Sequence, residues 1–427
     1  MKKFFAALLF LLSCGIAHAQ TVSCNPVPFI FQPGTTISSS QANADFAAIV
    51  SCINNIPIGT TTVINTVPAN PSNPTAPPQT VVTVNILTSY RNRLLNDCMA
   101  IDQRNNGVAQ TGLGTSTGTY LVDRFFYKGD GAQVGRITAQ QVAVGPAAGP
   151  PGPGGGPFPA NFPCSYTESL KVTTTAAPAA GDFALFGQDI LASNVTDWNF
   201  GNANASPVTL SFWVLGTGPL VGSGAIVLPT GGYSYVFNYN TPIGSIWTHV
   251  VIPIPAITTA AVAGSNINVY LSLGCGTTFQ ATPGSWIAGT FYCSGAAGSN
   301  FINTTAQNIY FTGMQLEAGT QATPLEIKPA TTELALVQPY FQQISSWQTG
   351  RYTKVGGTIP IPSFTLNIPM IAQPTAAAVT PSFTNCTGLT LTPVSITSVN
   401  AALTGCSATT DVIGAAAAIN FTSEITP

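Results

Sequence analysis

Residues 206–216 read "SPVTLSFWVLG". Val208, Leu210, Phe212 and Val214 fall on one side of an extended chain, and Thr209, Ser211 and Trp213 on the other. Successive side chains of a strand point to opposite faces, so this alternation predicts an antiparallel strand with one face in a core. Runs of the same kind stand on both sides. They are "TYLVDRFFYKG" (119–129), "GYSYVFNYN" (232–240), "WTHVVIPIP" (247–255), "INVYLSLGCG" (267–276) and "AQNIYFTGMQLEAG" (306–319). Each is rich in aromatic and β-branched residues and bounded by Gly, Pro or Asn, the usual punctuation of short strands. Many such strands without helices between them predict a mainly β protein built on an antiparallel two-sheet sandwich of jelly-roll type.

The composition agrees. Charged residues make up 6% of the 427, far below the roughly 25% of an ordinary soluble domain. Long surface helices need Glu, Lys and Arg for solubility, and these are scarce. A formal net charge of −2 offers no basic stripe for nucleic acid, so none is expected as a partner.

The chain opens "MKKFFAALLFLLSCGIAHAQ". Lys2 and Lys3, an apolar run and Ala17-His18-Ala19 have the order of a signal peptide over residues 1–19. "LLSC" ending at Cys14 also loosely matches a lipid-attachment box. Cleavage after Ala19 leaves a net charge of −4 and eight cysteines: Cys24, Cys52, Cys98, Cys164, Cys275, Cys293, Cys386 and Cys406. An even count behind an export signal predicts disulfides. Eight cysteines allow about 105 connectivities. Local spacing favours Cys24–Cys52, Cys275–Cys293 and Cys386–Cys406, which leaves Cys98–Cys164. None shows the paired spacing of a zinc site, and neither metal nor cofactor is expected.

Five regions follow from these patterns. After the signal peptide comes an N-terminal segment, 20–55. Within it "SSSQANADFAAIVSCINN" (38–55) predicts a short helix, with Phe46, Ile49, Val50 and Ile53 on one face. A helix this short needs a partner, either its own chain or copies around a symmetry axis. Residues 56–89 read as an extended Pro/Thr/Asn-rich linker. The sandwich occupies 90–345, interrupted by a long loop at "GPAAGPPGPGGGPFP" (145–159) and closed by a helix expected over 331–344. A small C-terminal β domain spans 346–427, with strand-like pieces "GTIPIPSFTLNIP" and "LTLTPVSITSV".

Chemistry is sparse. A Ser-His-Asp arrangement in the mature chain could use only His249, and no G-x-S-x-G elbow accompanies it. Paired carboxylates for glycoside hydrolysis could be drawn from the 14 acidic residues, but several, Asp45, Glu317, Glu326 and Glu333 among them, lie beside helix or turn signals. No enzymatic activity is expected. Aromatic residues are better candidates, because sugars stack their apolar faces on Trp and Tyr while amides and carboxylates bond the hydroxyls. Trp198 stands between Asp197 and Asn199. Tyr233, Tyr235 and Tyr239 share a face, the row expected to be most exposed. Trp286 lies in a turn. Core packing is the competing role for every one of these rings.

Four stretches occur in a telling order: "NDCMAIDQRNNG" (96–107), "YLVDRFFY" (120–127), "DWNFGNANASPVTLSFWV" (197–214) and "YFTGMQLEAGTQATPLEIKP" (310–329). Together they resemble a family of bacteriophage tail-fibre and minor tail proteins with a carbohydrate-binding-type jelly-roll module, over about half the chain. "PFIFQPGTTISSSQANADFAAIVSCIN" (28–54) is similar to the N-terminal segment by which such fibres trimerise or attach. "IPMIAQPTAAAVTP" resembles a strand following the module, with a neutral residue where the family has Arg. The resemblance implies a non-catalytic virion structural protein, homotrimeric, held by other tail proteins and mediating host attachment through cell-surface glycan. It implies that Asp102 and Arg104 define the fold, pairing with Asp123 and Arg124. An export signal and cysteines depart from a family that assembles in the cytoplasm. The alternatives are therefore a secreted lectin or adhesin of prophage origin, or a structural virion component with no ligand. Location is expected to be the virion or the extracellular space.

Overall fold

The computed structural model describes residues 60–64, 83–86, 90–143, 164–218, 220–241, 246–295, 301–348, 357–366, 368–406 and 413–424. The signal peptide, the 38–55 helix, the Cys24–Cys52 pairing and the 145–159 loop lie outside these residues. Residues 1–88 and 89–427 form separate compact units. In the first, β1 (Thr60–Ile64) and β2 (Thr83–Ile86) pair antiparallel. The stretch read as an extended linker therefore contains a hairpin, as its β-branched "TTTVI" and "TVNI" runs allow.

The second unit is built on a sandwich. Three strands enter it: β3 (Thr119–Tyr120), β4 (Phe126–Gly129) and β5 (Ile137–Ala143). Next come β6 (Tyr166–Val172), β7 (Phe183–Ile190), β8 (Val208–Gly216) and β9 (Leu220–Leu228). β10 (Tyr233–Thr241), β11 (Thr248–Ile254), β12 (Ile267–Cys275), β13 (Trp286–Ala288) and β14 (Asn308–Ala318) complete it. One sheet runs β11-β8-β14-β6-β5 and the other β13-β10-β9-β12-β7-β4-β3, with every pairing antiparallel. Taken in chain order, β6 to β12 and β14 place the first, eighth, third and sixth strands in one sheet. The second, seventh, fourth and fifth form the other. That winding is a jelly roll.

The core lies between the sheets. Val208, Leu210, Phe212 and Val214 are all buried in it, as the alternation in 206–216 predicts. Phe186 stacks on Phe125 and on Phe311, both at 5.4 Å. Phe212 meets Phe311 and Tyr239 edge-on. The seven-stranded sheet is covered on its outer face too. Phe126, Phe183, Leu185, Val236 and Tyr270 pack there against Phe279, Phe291 and Tyr292. Strand β7 is consequently buried at every position.

Three disulfides fasten the unit: Cys98–Cys164, Cys275–Cys293 and Cys386–Cys406. A single helix, α1 (Ala330–Val337), follows the sandwich. It is shorter than the helix expected over 331–344. Pro339 withdraws a backbone donor, and Phe341 already begins a strand. That strand is β15 (Phe341–Gln348), followed by β16 (Gly357–Thr365), β17 (Thr375–Val379) and β18 (Ser382–Thr384). The last are β19 (Gly388–Ser395), β20 (Ser398–Cys406) and β21 (Ile413–Thr422). They make two further sheets, β15-β21-β17 with β18 beside β21, and β16-β20-β19. A core of their own, including Ile359, Met370, Val399, Leu403, Ile419 and Phe421, lies between them.

The charges of the entry segment act in this architecture rather than at its surface. Arg104 lies 3.3 Å from Asp123 and 2.6 Å from Glu424, and Arg124 pairs with the other oxygen of Glu424. Arg104 is sandwiched by the rings of Tyr120 and Phe341, at 4.6 and 3.9 Å, while Arg124 lies 3.6 Å from the Tyr340 ring centre. Arg124 also donates to the carbonyl of Asp189. Asp102 takes no part in this pairing. Its carboxylate accepts from the amides of Asn105 and Gly107 and shapes the "DQRNNG" turn, a usual role for Asp in a loop. Upstream, Asn92 holds Asp97, Met314 and Leu316 together, and Lys328 bridges Asp97 and Glu333.

Two outcomes are expected. Glu424→Gln removes the one carboxylate shared by two buried guanidiniums and lowers stability by about 3–5 kcal/mol, read by chemical denaturation. Burial raises the carboxyls of Asp123 and Asp189 to about 7 and that of Asp97 to about 6. Their folded values exceed the unfolded ones, so their contribution is full below the ordinary Asp range and is lost as pH rises through 6 to 7. In Asp123→Asn and Asp189→Asn variants the fall in thermal midpoint between about pH 5 and pH 8 is correspondingly smaller.

Candidate functional site

Along β10 the inward face carries Tyr233, Tyr235, Phe237 and Tyr239, and the outward face Ser234, Val236 and Asn238. The tyrosine row expected to be exposed is thus turned into the sandwich. Tyr239 is fully enclosed against Phe212 and closes over Gly222, where any side chain would collide with its ring. Tyr235 is buried, its hydroxyl donating to the carbonyl of Pro253 at 3.3 Å. Trp198 is also enclosed, only 1% exposed. An alternating run with polar partners does not reveal which side meets the core when the opposite side is itself covered. Here Ser234 and Val236 are buried as well.

Three of the predicted rings, Trp198, Tyr235 and Trp286, nevertheless converge through Phe200. β13 pairs with β10 so that Trp286 stands opposite Tyr235, their rings 5.5 Å apart, and Ala288 opposite Tyr233. Phe200 joins Trp286 at 6.3 Å and Trp198 at 5.8 Å. The Trp286 indole donates to the carbonyl of Pro255, 2.7 Å away. Only Phe200, Tyr233 and Trp286 keep part of their surface in solvent. Asp197 is engaged by Arg93 at 2.6 Å, and Arg93 lies 5.8 Å from the Trp198 ring centre. Asn199 is left-handed, φ 53°, and donates to the carbonyl of Asp197. Asp197 and Asn199 therefore shape the loop that carries Trp198.

A cavity of about 360 Å³ opens on the outer face of the same sheet, across β10 from the aromatic edge. Asn238, Gln280, Thr282 and Ser294 line it with Ala281, Pro283 and Gly295. Its rim is fixed from several sides. The Cys275–Cys293 disulfide and the Gln280–Cys293 bridge tie the two arms of the 276–295 segment together. Ala281 donates to the carbonyl of Cys293 and Gly284 to that of Val236. The Ser294 hydroxyl donates to the side-chain oxygen of Asn238 at 2.5 Å, and its amide to the hydroxyl of Ser223. Gln280 donates to the carbonyl of Cys275, which leaves its side-chain oxygen facing Gly295. Every lining residue is uncharged. Such a site can fix a ligand by neutral hydrogen bonds and shape, and has no counter-charge for an ion.

No signal in the chain singles out Asn238, Gln280, Thr282 or Ser294, because short polar residues in turns are common. His249 lies on the outer face of the five-stranded sheet, its ring 4.8 Å from that of Trp213. Among the described residues no group of three or more His, Cys, Asp or Glu is arranged to hold a metal.

No protein-family profile and no curated protein matches the chain. Solved structures with partial similarity include a family 11 carbohydrate-binding module from Clostridium thermocellum in complex with a β-1,3-1,4-mixed-linked tetrasaccharide. It is 9% identical, with a TM-score of 0.24, over 47% of this chain and 92% of that one. A xylan-binding domain from Paenibacillus barcinonensis gives 10% identity and a TM-score of 0.23, over 51% and 95%. The enzymatically active domain of tailspike protein 4 from bacteriophage CBA120 gives 14% and 0.28, over 56% of this chain but 23% of that one. The jelly-roll assignment rests on the strand order, not on these likenesses.

The Tyr239 hydroxyl has no hydrogen-bond partner in its enclosed site. Tyr239→Phe is therefore expected to leave stability unchanged or raise it by about 1 kcal/mol, measured by denaturant titration. Trp198→Ala, in contrast, removes a fully enclosed ring at a cost of about 3–5 kcal/mol.

Proposed function

We propose that this protein is a non-catalytic glycan binder that mediates attachment to a cell surface. The observation that carries the reading is the cavity on the outer sheet face, with an amide pair, two hydroxyls and no charge. Neutral polyhydroxylated ligands demand that chemistry: directional donors and acceptors for hydroxyls, and small apolar patches for ring C–H faces. Ala281 and Pro283 supply the apolar part. The half-exposed Trp286 and Tyr233, on the other side of the edge strand, offer a separate stacking surface.

The ordered motifs shared with phage tail fibres favour a virion protein. In that setting the N-terminal segment would bind other tail proteins and a homotrimer would multiply weak sites into useful avidity. The disulfides and the signal-like N-terminus favour a second reading, a secreted lectin or adhesin, because both belong to an oxidising compartment. N-terminal mass spectrometry of the protein from virions and from culture supernatant distinguishes the two.

The binding reading is tested on a glycan array. Asn238→Ala and Gln280→Ala are expected to weaken binding at this cavity at least about tenfold, the loss of one or two neutral hydrogen bonds, in variants shown by circular dichroism to be folded. Full retention by both variants refutes the cavity as the site. Release of reducing ends from a bound polysaccharide refutes the non-catalytic role.

A further inference from the structure

From position 357 to 410 the chain contains no Asp, Glu, Lys, Arg or His. This stretch supplies the three-stranded sheet β16-β20-β19. Its inward face carries Ile359, Ile361, Val399, Ala401, Leu403 and, partly buried, Leu389 and Leu391. Its outward face carries Thr358, Pro360, Ser363, Asn400, Ala402, Thr390 and Thr392.

The register explains a depression in this face. β20 is the central strand, and its Ala402 lies between Pro360 of β16 and Thr390 of β19. Asn400 stands opposite Thr392 on one side, and on the other its side-chain oxygen accepts from the Ser363 hydroxyl at 2.8 Å. A single methyl group in the middle strand, flanked by a ring and a β-branched side chain, leaves a groove one residue wide along β20. The cavity there is about 330 Å³ and is lined by Pro360, Ser363, Thr390, Thr392, Asn400 and Ala402, with Ile361 and Ala401 beneath. That size is within the range of small-ligand sites.

The chemistry of the walls selects the occupant. Ser363 directs its proton to the Asn400 oxygen, which leaves the Asn400 amide nitrogen as a donor in a cavity that Thr390 and Thr392 also line. Pro360 and Ala402 supply an apolar wall and floor. A ligand that is itself charged would lose hydration here against no compensating charge. One with hydroxyls around a C–H face would satisfy both kinds of surface.

We propose that this groove is a second glycan subsite, specific for neutral oligosaccharides, separate from the cavity at Asn238. Each chain then holds two neutral-sugar sites on different sheets. The subsite rests on its own residues, and only its ligand class is shared with the function proposed above.

The test uses the full chain and isothermal titration with neutral gluco- and galacto-oligosaccharides, alongside a sialylated oligosaccharide of matching length. Ala402→Phe fills the groove from the face turned away from the core. It is expected to halve the stoichiometry for a neutral oligosaccharide with an unchanged thermal midpoint. Asn238→Ala should halve it independently, and the double variant should abolish it. Should Ala402→Phe prove unstable, Asn400→Leu makes the same test without added bulk over the floor, and is expected to weaken this site at least tenfold. Unaltered stoichiometry in both groove variants, with binding lost in Asn238→Ala, overturns the subsite and leaves the sandwich function standing. Equal affinity for the sialylated ligand at the groove, or occupation of it by a peptide instead, overturns the neutral-glycan assignment.

Discussion

Two buried guanidiniums share one carboxylate, and much of the architecture depends on their doing so. Arg104 belongs to the segment that leads into the sandwich, Arg124 to the turn between β3 and β4, and Glu424 follows β21. Each is largely enclosed, so none could remain without its partners. An uncompensated charge in such a setting costs several kcal/mol. The aromatic rings of Tyr120, Tyr340 and Phe341 complete the enclosure by offering their faces to the cations. The jelly roll and the C-terminal sheets thus meet at a point where the energetics forbid either part from shifting alone. The chain uses its scarce charges as joints and leaves the linings of both cavities neutral.

That division of labour gives the molecule a consistent character. The ion pairs among the described residues gather at the seams: Arg91 with Glu317, Arg93 with Asp197, and Lys328 with Asp97 and Glu333, besides the Glu424 knot. The two cavities considered as sites are lined by Asn, Gln, Ser and Thr. Hydrogen bonds from such groups are weak singly and directional.

The strand pattern of the sandwich was legible because it rests on a local rule. Alternation in "VTLSFWV" states which residues share a face, and the structure buries that face. Cysteine spacing likewise pointed to the Cys275–Cys293 and Cys386–Cys406 bonds, since short loops bring partners together. What local rules do not contain is the identity of the covered faces. The 276–295 segment folds back over the seven-stranded sheet, so polar Ser234 is enclosed while Tyr235 and Tyr239 on the opposite face are buried as well. The chemistry of Trp198, Tyr235 and Tyr239 suits ligand contact, but long-range packing puts all three in the interior. The Asn238 cavity arises from the meeting of a strand with a disulfide-bound loop more than forty positions away. No spacing rule describes that encounter. The Glu424 partner of the "IDQR" segment was equally invisible, at a separation of 320 residues.

That separation has a consequence for biosynthesis. Arg104 and Arg124 emerge from the ribosome about 300 residues before their shared carboxylate. Until translation has passed position 424, the jelly roll can gather its strands but must keep two cations hydrated at a place the finished protein seals. Contacts this distant in sequence also slow folding, because the chain must close its largest loop to make them. A chain that ends before Glu424 keeps Arg104 beside Asp123 and Arg124 on the Asp189 carbonyl but lacks the carboxylate that joins the two cations.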